Sequence, residues 1–259
     1  MRRHERTLTL KIARGGPKVA RTFHPDENPL NMKNNKQKSD TELKSDVLAE
    51  LKYEPSVKVT DIGVLVKDGA VTLNGFVTSY GEKWDAVRAI KRVAGVNAIA
   101  DDIEVKLPGS LRRTDGDIAA SAANQLEWST TIPKGTVQVT VREGCIALEG
   151  EVEGWYQKNA AETAVRLVSG VKAVANLITI KSRAATMEVK AGIRAAFERH
   201  ALLDAATIYV ETSGGKVILS GKVRSYVERE EAELAAWAAS GVFAVDNQLK
   251  VEWSFSSAE

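Results

Sequence analysis

Three segments of this chain align with one another without a gap over about 65 positions each, at offsets of 75 and then 71 residues. A repeat of this length fixes the scale of the fold, because whatever one copy builds the other two must build as well. Nine columns are identical in all three copies, among them the glycine triplets Gly69/Gly144/Gly215, Gly75/Gly150/Gly221 and Gly95/Gly170/Gly241. The offsets differ because the linker LPGSLRR (107–113) is longer than SRA (182–184).

Each copy opens with a helix. Apolar residues recur at helical spacing as Leu43, Val47 and Leu51, as Ile118, Ala122 and Leu126, and as Val189, Ile193 and Phe197. Ser39 with Glu42 and Thr114 with Asp117 provide N-terminal caps, and Thr186 stands less cleanly at the start of the third copy. A strand of period two follows, in Ile62/Val64/Val66, Val137/Val139/Val141 and Ile208/Val210/Thr212. Asp68-Gly69, Glu143-Gly144 and Gly214-Gly215 then supply the positive-φ residues of a tight hairpin.

The second strand, VTLNGFV in the first copy, runs into a second helix. Ser79 with Glu82 and Ser225 with Glu228 read as capping boxes, with Gly154 and Gln157 at the same columns of the middle copy. The stripe at columns 86, 89, 90 and 93 is apolar throughout, and Gly95, Gly170 and Gly241 are expected to end the helix as C-caps. A last strand closes the copy.

The order αββαβ predicts an α+β fold: three tandem small domains, each with two helices on one face of a three-stranded mixed sheet. The β–α–β crossover makes the second and third strands parallel and is itself expected to be right-handed. The expected bounds are 39–107, 114–181 and 185–252, with tails at 1–38 and 253–259. Such units are small for a self-sufficient core, so packing between copies is expected to contribute. Gly75, Gly150 and Gly221 mark a point where other atoms approach the strand closely.

Residues 1–31 hold seven Lys/Arg against three acids, so the overall formal charge of +2 leaves the rest at −2. The folded part is therefore not a basic nucleic-acid platform, and no nucleic-acid partner is expected. The tail contains Pro17, Pro25 and Pro29 and no sustained period, and Met32 is an alternative start. No window has the apolar length of a membrane span, and no secretory signal is legible. A cytoplasmic location is expected on that ground, with a periplasmic or envelope-associated one as the alternative.

Reactive side chains do not recur at any one column, which argues against catalysis, a metal or a cofactor. His4 and His24 lie in the tail, His200 ends a helix, and Cys145 aligns with Ala70 and Lys216 at the hairpin. The acids Asp101-Asp102 align with Asn176-Leu177 and Asp246-Asn247 and read as strand-edge polar residues. The Ser79/Glu82 and Ser225/Glu228 caps occupy the helix ends that phosphate would need.

The run GVLVKDGAVTLNGFVTSYGEKWDAVRAIKRVAGVNAIADDIEV, with its hairpin glycine, mid-strand glycine and GV before the last strand, resembles the BON domain (bacterial OsmY and nodulation). All three copies carry these features. The resemblance implies the αββαβ fold and a non-enzymatic role in envelope integrity or stress response, with phospholipid association or chaperone-like behaviour.

Aromatics are the remaining functional lead. Tyr80, Trp155 and Tyr226 share a column at the start of the second helix, and Tyr53 and Trp128 share one at the end of the first. Either they staple helix ends to the hairpin, or they form an amphipathic rim for lipid headgroups or protein partners. Trp84, Trp237 and Trp253 recur in no column and are read as marks of inter-domain contact. The expected function is non-catalytic binding of anionic phospholipid surfaces or exposed apolar protein surfaces. The alternative is an intracellular protein–protein scaffold without lipid binding.

Overall fold

A computed structural model describes residues 38–182 and 189–252 of the chain. The first domain consists of α1 (Asp40–Tyr53), β1 (Ile62–Lys67), β2 (Ala70–Val77), α2 (Tyr80–Lys91) and β3 (Ala98–Val105). The second consists of α3 (Asp115–Trp128), β4 (Val137–Arg142), β5 (Cys145–Val152), α4 (Trp155–Arg166), β6 (Ala173–Asn176) and β7 (Thr179–Ile180). The third repeats this order as α5 (Val189–Arg199), β8 (Ile208–Ser213), β9 (Lys216–Val223), α6 (Tyr226–Trp237), β10 (Ala244–Asn247) and β11 (Lys250–Val251). Trp253 and Thr186 lie outside the described residues.

In each domain the second strand is central. β2 pairs antiparallel with β1 and parallel with β3, and β5 and β9 pair in the same manner. The final strand is continuous only in the first domain. In the others it divides at Leu177 and Gln248, although their N–H groups still reach the Leu148 and Leu219 carbonyls. A cation on the second helix ties the edge down each time: Lys83 donates to Ile103 O, Lys158 to Ile178 O and Arg229 to Leu249 O.

The sequence stripes become the cores. Leu43, Val47 and Leu51 of α1 meet Val71, Leu73 and Val77 of β2 and Ala86 and Ala89 of α2. Ile118, Leu148 and Ala161 serve in the second domain, and Phe197, Leu219 and Ala232 in the third. A fully buried Val, Leu or Phe contributes on the order of 1.5–3 kcal/mol by leaving water.

Two details depart from the sequence reading. The second helix ends before its glycine: α2 stops at Lys91, and the Val93 N–H bonds back only three residues, to Ile90 O at 2.9 Å. The chain therefore tightens first, and Gly95 (φ +101°) lies in the following turn. The box on α2 is also shifted. Ser79 caps the Glu82 N–H as expected, but the Glu82 carboxylate passes the cap residue and accepts from the Thr78 and Lys58 N–H groups, both at 2.9 Å. Glu82, Gln157 and Glu228 are the buried polar residues among those described. Each takes backbone N–H groups at the start of the second helix, and Glu82 and Glu228 also take one from the loop before the first strand, because a buried acceptor needs such donors.

At Gly75 a Cβ would stand 2.1 Å from Asp61 O; the corresponding separations are 2.0 Å at Gly150, from Thr136 O, and 2.1 Å at Gly221, from Thr207 O. The backbone crossing there, with φ of +111°, +140° and +118°, explains the strand glycine.

Candidate functional site

The column-80 aromatics lie between domains. Each is the first residue of a second helix, so it projects from the end of its own domain toward a neighbour. Tyr80 packs against the core of the second domain. Trp155 stacks on Trp237 of the third, with ring centroids 6.4 Å apart and planes 19° from parallel. Tyr226 packs against the core of the first domain and donates its O–H to Asn97 O at 3.0 Å. First meets second, second meets third and third meets first, so the joints close a ring.

One face of each second helix is engaged by the next domain, and the chemistry differs at each joint. Four residues after Tyr80, Trp84 meets Arg166, the last residue of α4, whose Cζ is 3.7 Å from the ring centroid. The same column pair in the third joint is Glu230 with Lys91, the last residue of α2, and forms an ion pair. In the second joint the last residue of α6 is Trp237, and Trp155 itself meets it. Cation–π attraction and charge pairing thus occupy one column pair, while in the second joint the contact moves one turn back and becomes indole stacking. Burial raises the pKa of the Tyr80 phenol above its ordinary value, with the Glu162 carboxylate adding to the effect.

A cavity of about 520 Å³ lies where the three second helices converge, lined by the column-84 residues Trp84, Asn159 and Glu230 together with Val87 and Leu234. A second, of about 490 Å³, occupies the joint between the second and third domains.

Tyr53 and Trp128 sit differently. They end α1 and α3 and are 81% and 74% exposed. Their column in the third domain holds Arg199, exposed at the end of α5. Two aromatics and a cation therefore occupy the exposed C-terminal end of the first helices. The alignment does not single out Arg199, since it shares no chemistry with the other two. The joint residues Lys91 and Arg166 escape it for the same reason, whereas Trp84 and Trp237, read from the sequence as marks of inter-domain contact, do lie in joints.

The hairpin glycines have a structural partner: Asp40 accepts from the Asp68 and Gly69 N–H groups, and Asp115 from those of Glu143 and Gly144. Gly69, Gly144 and Gly215 have positive φ, as do Gly170 and Gly241 past the second helices. Cys145 is exposed, and His200 faces Glu231 at 3.2 Å. Among the described residues, no three of His, Cys, Asp or Glu are placed to hold a metal, and no helix is long and apolar enough to cross a membrane.

The BON domain profile matches residues 39–106, 114–182 and 187–252. The osmotically-inducible protein Y of Escherichia coli (strain K12) is 32% identical over 146 residues, which cover 55% of this chain and 73% of that protein. CdsD, a structural protein of the type III secretion system of Chlamydia trachomatis, aligns over 82% of this chain and 92% of its own at 13% identity, with a TM-score of 0.24. Its C-terminal domain aligns over 83% of this chain at 12% identity, with a TM-score of 0.23. Superpositions this weak carry no argument.

Proposed function

Because the chain belongs to the BON domain family, with three such domains, we propose that it is a non-catalytic stress-response protein that binds anionic phospholipid surfaces through the exposed C-terminal ends of its first helices. The stress role rests on the similarity to an osmotically-inducible protein. The binding role rests on one observation: Tyr53 and Trp128 are exposed at equivalent helix ends, while the other aromatic column is engaged between domains. An exposed aromatic with a polar edge suits the headgroup region, and Arg199 adds a charge that attracts anionic lipid.

Co-sedimentation with vesicles of anionic and of neutral lipid tests the reading. Binding to anionic vesicles should fall about tenfold in Tyr53→Ala/Trp128→Ala, and absence of binding to either vesicle would reject lipid recognition. A stoichiometric protein partner in pull-downs, without lipid binding, would favour the scaffold reading. Fractionation of cells reads the compartment directly.

A further inference from the structure

We propose that the free edge of β1 is a self-association surface, to which a second copy of this chain adds its own β1 antiparallel about a two-fold axis at Val64. β1 is an edge strand of the first sheet, with β2 as its neighbour on one side. Asp68 (φ +51°) and Gly69 (φ +76°) form a two-residue hairpin loop, beyond which Lys67 faces Ala70, Leu65 faces Thr72 and Gly63 faces Asn74. The pair flanking such a loop exchanges both of its main-chain hydrogen bonds, and the pattern alternates from there. Lys67, Leu65 and Gly63 therefore bond inward to β2, and the main-chain groups of Val66, Val64 and Ile62 point outward. Among the described residues, these outward groups bond to nothing except at the Ile62 N–H, which donates to Val59 O.

The edge carries little that would keep another strand away. Proline, bulges or charges along the strand usually guard such edges, whereas IGVLVK has its one charge at the last position and leaves Leu65 59% exposed. Of the two-fold registers that set outward groups opposite one another, the one centred on Val64 pairs the whole strand. Val64 then meets Val64 of the second copy and Ile62 meets Val66, so both cores stay on one face and two three-stranded sheets become continuous. On the other face Leu65 falls opposite Gly63, over which the exposed Asn74 side chain leans. Lys67 falls beside Asp61 of the second copy, at both ends of the contact. Neither residue has an ion-pair partner within its own chain among the described residues, so the charges are available to each other.

The other two domains lack this match. The Asp61 and Lys67 columns hold Thr136 and Arg142 in the second and Thr207 and Ser213 in the third, so neither edge has opposite charges at its ends. The Gly63 column holds Gln138 and Tyr209, which leave no gap for the residue across from them. Of the three edges, β1 is therefore the one complementary to itself. A contact of one strand on one strand is narrow, which makes the dimer weak and concentration-dependent.

The test is sedimentation equilibrium of the full chain at low salt and at concentrations up to about 0.5 mM, where a contact of this size should be populated. The parent is compared with Asp61→Lys, with Lys67→Glu and with an equimolar mixture of the two variants. In either variant alone both ends of the two-fold contact carry like charges, whereas in the mixed pair both ends carry opposite ones. The expected result is a reversible monomer–dimer equilibrium for the parent, weakened about tenfold or more in each variant and restored in the mixture to within about threefold of the parent. Leu65→Lys, at an exposed position, should weaken it similarly while leaving the far-ultraviolet circular dichroism unchanged. A parent that stays monomeric, as it would with another segment of its own chain on the edge, would overturn the proposal. So would a dimer undiminished in Lys67→Glu or in Leu65→Lys, or one that mixing the charge variants does not restore.

Discussion

At the residue scale, single atoms decide what the repeat tolerates. A methyl group at Gly75 would stand 2.1 Å from the Asp61 carbonyl oxygen on a backbone with φ of +111°. Gly75→Ala should therefore destabilise the first domain by about 3 kcal/mol or more, combining backbone strain with a clash against main chain. Urea unfolding would show this as a lowered midpoint for one transition. Tyr80 makes a different prediction. Its raised pKa means that the folded state holds the phenolic proton more tightly than the unfolded state, so the associated stability is complete below the unfolded value of about 10. It is lost as pH rises through the folded value. Tyr80→Phe should be less sensitive than the parent between pH 9 and 11 in melting experiments, and an unchanged alkaline profile would show that the phenol is not held in the joint.

At the element scale, the start of the second helix depends on one buried acceptor. Glu82 takes N–H groups from Lys58 and Thr78, and the middle domain does comparable work with Gln157 on Glu153 and Gly154. Glu82→Gln keeps one acceptor oxygen but sets an amide donor against the other N–H, a donor the middle domain lacks because Pro133 stands in the Lys58 column, and should cost about 1–2 kcal/mol, whereas Glu82→Ala leaves both donors unmet and should cost roughly 2–4 kcal/mol. Thermal melts of the two variants separate these outcomes, and equal losses would contradict the role assigned to the acceptor. This level of organisation was largely legible beforehand. The stripes Leu43/Val47/Leu51 and Ala86/Ala89/Ile90 are periodic, and burial follows periodicity. The helix end was less legible: Gly95 is a strong stop signal, but the chain had already tightened at Val93. The buried function of Glu82 was half visible, since a capping box specifies the spacing of its partners and not how far the carboxylate reaches.

At the scale of the whole molecule, three copies of one fold are joined by three unlike contacts. Trp84–Arg166, Trp155–Trp237 and Glu230–Lys91 occupy related positions with no shared chemistry. A comparison of copies finds what repeats, so it placed Tyr80, Trp155 and Tyr226 in one column but could not name their partners. The triple variant Tyr80→Ala/Trp155→Ala/Tyr226→Ala should keep the parent's far-ultraviolet circular dichroism while its radius of gyration in X-ray scattering rises. An unchanged radius would mean that other contacts hold the ring. The central claim is a division of labour, in which one aromatic column joins domains and the other meets lipid. Fluorescence quenching by brominated phospholipid in anionic vesicles is the decisive measurement, comparing the parent chain with Trp128→Phe, which leaves the joint residues Trp84, Trp155 and Trp237 in place. Quenching in the parent that is largely lost in Trp128→Phe is expected; quenching that persists undiminished in Trp128→Phe would mean that a tryptophan other than Trp128 meets the lipid and would contradict that division.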